Sequence, residues 1–516
     1  MLYRDFLDEL KSCGELIEIA EEIHWDQEAA AAAAMSQREG GPALHFTQVQ
    51  DGNGSSLVGA LFSGPGTLYP NSSGRTPWTR LAIALGFNRD ISYEELCEEL
   101  LKRRERLVRP TLVTSGPCQE VIKIDDEVSL TDFPFPRHYD RDGGRYLTAG
   151  VLAVKDYYGR WANWGVCRAM VLSKNELVVN IRPESQAGRL FAEYEQHGKP
   201  MPCCFFLGGN PAAFVAAAAP VPEGVWEAEM AGAYIQSPLE LASAVTNDLM
   251  IPADAEMVIE GMIMPGERQA EGPFPEYVRY APARPRPVMR VNAITHRKSP
   301  VLPFVAEGCK VSDSMALRSV LASVELLYKV RTQTQLRVRW IYLPVESRLS
   351  ICVAGCDPFY PGHNFWVSNF LSQLKEMAWF DKLLLVDSDI NPADMTEVVN
   401  DWAQKTRPQK GYGFWAEEYP HVAGRTTAYA EEGEPVRTVV WDCCWNDTWK
   451  DEKHFRARVS FESSFPEDLQ EQVISRWTEY GLPGKPVKKL VDPSWTRGPL
   501  HPPQLTKIPG IGGEDQ

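Results

Sequence analysis

No Cys-x-x-Cys pair occurs among the eleven cysteines, and Cys352 and Cys356 lack companion ligands, so zinc ribbons and dithiol redox motifs are excluded. The adjacent pairs Cys203-Cys204 and Cys443-Cys444 are poor disulfide partners for each other and read as buried apolar fillers. The most apolar run, Ala212 to Ala219, stops at Pro220, far short of the roughly 20 residues that span a bilayer. Basic charge is also short: 53 Lys and Arg stand against 69 Asp and Glu, a net charge of −16 spread along the chain. That balance argues against a nucleic-acid or anionic-membrane partner, while leaving room for a local pocket that binds one small anion. There is no internal repeat, and no Gly-x-Gly-x-x-Gly joins a strand to a helix. The opening MLYRDFLDELKSCGELIEI has no basic stretch followed by an apolar one, so a reduced, cytoplasmic protein without a secretory leader is expected.

What is there is an ordinary globular composition over 516 residues, too long for one core, so an α/β (α+β) multidomain fold is expected. Residues 1–111 read as an α/β region. It opens with a helix presenting Leu2, Phe6, Leu7 and Leu10 on one face, followed by the strand LIEI, a helix over 26–38 and the strand ALHF. Residues 112–312 change texture. Short β-rich runs such as LTAGVLAVKDYY, MPCCFFLG and EMVIEGMIM lie between Gly, Pro and Asn clusters, which predicts a β-barrel or compact sheet interrupted by one helix, SPLELASAVTND. Residues 313–466 return to longer alternation, with helices over 315–330 and 364–377 and the parallel-type strand KLLLVD. Residues 467–516 complete the chain with a helix over 466–480 and an extended Pro/Gly-rich end.

Three constellations carry chemistry. In EGPFPE, Glu271 and Glu276 would face different ways on a helix or a straight strand. The glycine and prolines between them favour a kink that brings both into one pocket, where mutual repulsion suits one of them to general-acid work. A solvated acidic loop is the plainer reading. In WANWGVCR, an Arg168 buried in a β-run calls for a carboxylate partner, and Gly165 permits a bulge that lets Asn163 and Arg168 share a face. The alternative is an edge arginine in solvent. In VPEGVWEAEMAGA, Glu227 and Glu229 either cap the following helix or bind a hard cation.

Taken together, in this order and spacing, these motifs resemble the UbiD family of decarboxylases. The family shows an Asn/Arg pair five apart (Asn163/Arg168), a Glu after a Pro-x-Pro-x-Gly-like turn (Glu227 after PVPEG) and a Glu-Gly-Pro-Phe-x-Glu signature (Glu271 and Glu276). The likeness extends to YRDFLDEL, DGGRYLTAG, TNDL…PADAEMVIEG and KLLLVDSDI, roughly residues 1–470. The resemblance implies a central split β-barrel holding prenylated FMN between two α/β domains, in a homodimer or higher homo-oligomer.

It also implies site roles. Asn163 and Glu227 would bind a divalent metal, usually manganese, against the flavin phosphate. The segment Trp164, Gly165, Val166, Cys167 and Arg168 would line the cofactor, and Lys382 would reach the phosphate. Potassium would sit near Trp161 and the alanines 216–219. Arg168, held by Glu271, would orient the carboxylate of a small-molecule acid, and Glu276 would return the proton after CO₂ leaves. A separate flavin prenyltransferase would supply the cofactor.

One departure stands out: where the family places a metal-binding His, NIRPESQAG offers Ser185 or Gln186, neutral oxygen donors in place of imidazole. The pocket position after the acid is Tyr277, among Trp-rich surroundings that suit a flat aromatic or heteroaromatic acid. The competing readings are a flavin-binding oxidoreductase on the flavin-reductase split barrel and a non-catalytic flavin-binding scaffold.

Overall fold

The computed structural model describes residues 1–63, 75–276, 279–308, 311–348, 350–406, 438–444 and 465–482, with residue 461 and three two-residue strands at 413–414, 419–420 and 435–436. Tyr277 and the Pro/Gly-rich end lie outside the described residues. Helix Tyr3–Ser12 buries Tyr3, Phe6, Leu7 and Leu10. Leu2, expected on that face, precedes the helix as its exposed cap residue. A four-stranded sheet follows in the order Leu16–Ile19, Ala43–Phe46, Ser56–Gly59 and Val301–Phe304. Its last strand comes from far along the chain and lies parallel to Ser56–Gly59. A Cβ on Gly59 would sit 2.5 Å from the Phe304 ring, so this strand pair closes only with glycine there.

The centre is a nine-stranded sheet. Its order is Tyr146–Leu147, Ala169–Ser173, Glu176–Val179, Arg284–His296, Met257–Glu271, Met201–Leu207, Val151–Lys155 and Ala162–Val166, with Val121–Ile124 paired to Arg284–His296. The first and last strands are not paired, so among the described residues the sheet does not close into a barrel. Period-2 alternation explains why its strands are apolar on both faces. Val151, Ala153, Cys204, Phe206 and Val258 enter one core, with the helices Pro211–Ala218 and Glu227–Ile235. Leu152, Val154, Cys203, Phe205 and Ile259 enter the other, with Phe133, Phe135 and helix Gln186–Gln196.

The helix expected at SPLELASAVTND is instead a strand, Glu240–Ser243, parallel to Thr111–Val113 and antiparallel to Met250–Pro252. Good helix formers are overridden here because strand pairing buries Leu241 and Ala242 completely.

Beyond residue 312, helix Asp313–Gln333, capped by the Ser312 hydroxyl, packs beside a sheet ordered Val338–Tyr342, Ile351–Cys356, Lys382–Asp387, Val439–Cys443, Gly413–Phe414. Its three central strands are parallel, and KLLLVD is buried among them as its unbroken apolar run requires. The helix expected over 364–377 is His363–Ser372 followed by a 3₁₀ turn, Lys375–Trp379. The described cysteines are all free thiols, and both adjacent pairs are buried. Among the described residues no helix is long and apolar enough to cross a membrane.

Candidate active site

Strand Ala162–Val166 carries the first cluster. Asn163 is buried and its Nδ2 donates to Glu227 Oε1 at 2.8 Å and to Gln186 Oε1 at 2.9 Å. The other Glu227 oxygen accepts the Trp164 backbone N–H at 2.7 Å. Glu227 therefore does not cap its helix; it opens helix Glu227–Ile235 and turns inward. Gln186 is steadied by a bond from Nε2 to Val221 O at 3.0 Å. Ser185 is used differently: its hydroxyl accepts from Gly188 N at 3.0 Å as the cap of helix Gln186–Gln196.

Burial pushes the Glu227 carboxyl up to about 8, against the hydrogen bonds that favour its charge. A cation beside it would bring it down again. Among the described residues no three His, Cys, Asp or Glu side chains share a potential metal position. The oxygen donors here are two amides and one carboxylate, a hard set suited to Mn²⁺ or Mg²⁺. A Cβ on Gly165 would meet nothing within 4 Å, so open space lies over this strand where a planar ring could rest.

The second cluster begins where that strand ends. The pairing of Val151–Lys155 with Ala162–Val166 is regular, so no bulge forms at Gly165. The chain changes course at Cys167 and Arg168 instead, tied by Cys167 N to Gly150 O and by Asn180 N to Arg168 O. Arg168 Nε and Nη2 grip Glu271 at 2.8 and 3.1 Å, and Nη1 donates to Glu276 Oε1 at 2.8 Å. Burial works against the guanidinium charge, but the Glu271 bonds and both carboxylate charges outweigh it and raise the Arg168 pKa. Burial likewise pushes the neighbouring Cys167 thiol up to about 12, which leaves it an inert neutral group.

EGPFPE is thus no solvated loop. Glu271 ends strand Met257–Glu271 with 2% exposure, and Glu276 lies in the short strand Phe274–Glu276 across the Gly272-Pro273 kink. The Arg168 guanidinium also lies 4.9 Å from the Phe274 ring centroid.

The sequence reading misses what backs this cluster. The loop 137–145 packs on the kink, with Gly143 N donating to Pro273 O at 2.9 Å and the buried His138 edge-on to Phe274 at 5.7 Å. Tyr146 packs against Phe274 with the rings tilted and their centroids 4.3 Å apart. Asp142 accepts the His138 and Tyr139 N–H groups, and burial pushes its carboxyl up to about 6. The DGG turn is the only local signal in this stretch.

Two expected residues stand apart. Lys382 opens the strand Lys382–Asp387 and bonds Asp381 at 2.7 Å; among the described residues nothing links it to Asn163, Gln186 or Glu227. The Trp161 carbonyl accepts Asp156 N in closing its own turn.

Comparison with known proteins follows the same outline. A model of the 3-octaprenyl-4-hydroxybenzoate carboxy-lyase Rift-related domain matches residues 111–309. The N-terminal and C-terminal domain models of that carboxy-lyase match 7–100 and 316–423. The pyrrole-2-carboxylic acid decarboxylase of Pseudomonas aeruginosa is 29% identical over 497 residues, covering 93% of this chain and 98% of its own. Ferulic acid decarboxylase 1 of Saccharomyces cerevisiae is 26% identical with the same coverages, 93% and 98%. The UbiD-class enzyme HmfF from Pelotomaculum thermopropionicum, solved in complex with FMN, matches with a TM-score of 0.78 at 25% identity, over 90% of this chain and 99% of that one. An evolved dimeric form of that enzyme in complex with prFMN gives 0.75 at 26% identity, over 90% and 97%. Three successive domain models and relatives aligned almost end to end leave one conclusion: the chain belongs to the UbiD family of decarboxylases.

Proposed function

We propose that this protein removes CO₂, non-oxidatively and in principle reversibly, from an α,β-unsaturated, aromatic or heteroaromatic carboxylic acid with the help of prenylated FMN. The observation that carries the reading is the convergence of Arg168, Glu271 and Glu276, from two distant segments, at one end of a strand whose other end holds Asn163, Gln186 and Glu227. Five residues of extended chain span at most roughly 16 Å. One cluster therefore holds one end of an elongated cofactor while the other addresses the reacting carboxylate.

The residues present fit that group. The Asn163, Gln186 and Glu227 oxygens suit a divalent cation, manganese in the first instance, that would grip the flavin phosphate. The open space over Gly165 accepts the ring system. When bound, prenylated FMN supplies the electron sink for the pair released as the C–C bond to CO₂ breaks. Lys382 as a phosphate contact, potassium near Trp161 and the 216–219 carbonyls, a split β-barrel within 112–312, a homodimer and a partner prenyltransferase belong to the same proposal.

The chain's own work is positioning and proton transfer. Arg168, aimed by its two bonds to Glu271, presents a fork to the substrate carboxylate. Its Nη1 is engaged by Glu276, so an arriving carboxylate competes with Glu276 for that donor. Displaced from that donor, Glu276 is the carboxyl placed to deliver a proton to the carbon that has lost CO₂. A scaffold without chemistry would have no use for this buried like-charge pair. The test is to load the protein with prenylated FMN, confirm the flavin by mass spectrometry, and screen aryl, heteroaryl and acrylic acids for CO₂ release. NAD(P)H oxidation without CO₂ release would favour a reductase instead.

A further inference from the structure

A third carboxyl stands near the Arg168 cluster, and the reaction as proposed does not use it. Strand Val301–Phe304 runs out into a segment pinned at two points. Val305 N donates to Thr148 Oγ1 at 2.8 Å, and the Tyr139 hydroxyl donates to the Glu307 backbone carbonyl. Tyr139 belongs to the same 137–145 loop that braces the Gly272-Pro273 kink, so one loop fixes the approach of Glu307 and of the Glu271/Glu276 pair together. The Glu307 side chain is held at one oxygen only, Oε2, by the Ser312 hydroxyl at 2.7 Å. Its other oxygen has no hydrogen-bond donor among the described residues. Arg168 and Glu276 both act on it electrostatically, and the three guanidinium nitrogens of Arg168 are already engaged elsewhere.

A purely structural role would be to steady Ser312 as the cap of helix Asp313–Gln333, since that hydroxyl also accepts from Met315 N. That role occupies Oε2 and leaves the second oxygen unexplained. Burial pushes the Glu307 carboxyl up to about 7, so it is ready to accept a hydrogen bond near neutral pH without a full buried charge.

We propose that Glu307 is a specificity-determining residue whose free oxygen accepts a hydrogen bond from an N–H or O–H carried by the substrate's ring, so the preferred acids are donor-bearing heteroaromatic or phenolic ones. This rests on the decarboxylase reading for the placement of the substrate carboxylate on Arg168. A site built around such an acceptor rejects an analogue lacking the donor, because the bound analogue would cover this half-buried carboxyl and leave it without a partner.

The experiment uses the flavin-loaded holoenzyme and two matched pairs: pyrrole-2-carboxylate against furan-2-carboxylate, and 4-hydroxycinnamate against cinnamate. For at least one pair kcat/KM should favour the donor-bearing acid by about 10- to 100-fold, the worth of one hydrogen bond to a chargeable acceptor. Glu307→Leu should abolish that preference by slowing the donor-bearing acid alone, and Glu307→Gln, which keeps an acceptor oxygen, should retain part of it. Flavin content and unfolding temperature of each variant report on the helix cap separately. Equal turnover within both pairs by the wild type, or an equal loss on both members in Glu307→Leu, overturns the proposal. If no acid releases CO₂, the decarboxylase reading fails by itself. The same acids titrated into wild type and Glu307→Leu by calorimetry then decide Glu307, with equal Kd within both pairs overturning it.

Discussion

At the scale of single residues, the arrangement around Arg168 makes Glu276 the group whose loss should separate chemistry from binding. Glu276→Gln keeps an oxygen for Arg168 Nη1 but has no proton to give. Turnover should fall by about 10² to 10⁴ with flavin content unchanged, read by CO₂ release and flavin absorbance on the same preparation. Wild-type turnover would move the proton donor elsewhere. These residues were legible because a guanidinium inside an apolar run and two carboxylates astride a kink are chemically conspicuous. Asp142 was not, because nothing local says that a carboxylate beside two glycines will be buried.

Its burial has a consequence for stability. The Asp142 carboxyl is raised from its ordinary value to about 6, so between roughly pH 4 and 6 the unfolded chain loses this proton while the folded one keeps it. Stability from this group is complete below pH 4 and is lost as pH rises through 6. Asp142→Asn, neutral throughout, should match the wild type near pH 3.5 and be the more stable of the two by pH 7, measured by urea unfolding across that range. A constant difference between the two would show that Asp142 ionises freely in the fold.

At the scale of elements, the loop 137–145 sets the position of the EGPFPE kink through backbone contact. A Cβ on Gly143 would lie 2.1 Å from Gly272 O and 2.6 Å from Gly272 C, a clash with main chain that no rotamer relieves. Gly143→Ala should therefore displace Glu271 and Glu276 from Arg168. The expected outcome is a drop in kcat of about 10²-fold, in line with an ångström-scale misplacement, while flavin and metal retention at the far cluster stay unchanged.

That far cluster turns on how helix Gln186–Gln196 starts. Because Ser185 is spent as the cap, residue 186 is the one that faces Asn163. Gln186→His should slow the joint loss of flavin and manganese on gel filtration in EDTA, since imidazole binds manganese more tightly than a neutral amide oxygen does. Ser185→His should loosen the helix start without that gain. Unchanged retention in Gln186→His, by metal analysis and flavin absorbance, would remove residue 186 from the ligand set.

The sequence alone left 185 and 186 open because a cap and a ligand differ only in where the backbone enters the helix. It misread SPLELASAVTND for a related reason: Leu241 and Ala242 suit a helix, and only their partners at 111–113 and 250–252 make them a strand.

At the scale of the whole molecule, the alternation of α/β and β-rich stretches was readable from periodicity. The joining of strand Val301–Phe304 to the sheet of residues 16–59 was not, since parallel pairing across so long a separation leaves no local mark. The sheet sandwiched between two cores sets the Arg168 cluster just beyond the end of strand Ala162–Val166, and this placement restricts the chemistry available there. Breaking the bond to CO₂ heterolytically leaves an electron pair on an unsaturated carbon. Among the described residues the polar groups around Arg168 include Glu271, Glu276, Asp142, Tyr146 and Glu307, which can hold a carboxylate, keep one another in place and move a proton. None of these groups can accept an electron pair, so under the proposed decarboxylation the sink would be supplied by the prenylated flavin and not by these side chains. Protein made without a flavin prenyltransferase should bind FMN at most and release no CO₂ from any acid. The same chain co-expressed with the prenyltransferase should carry a heavier flavin by mass spectrometry and turn over. CO₂ release with unmodified FMN as the only bound flavin would overturn the mechanism while leaving the family and the fold in place.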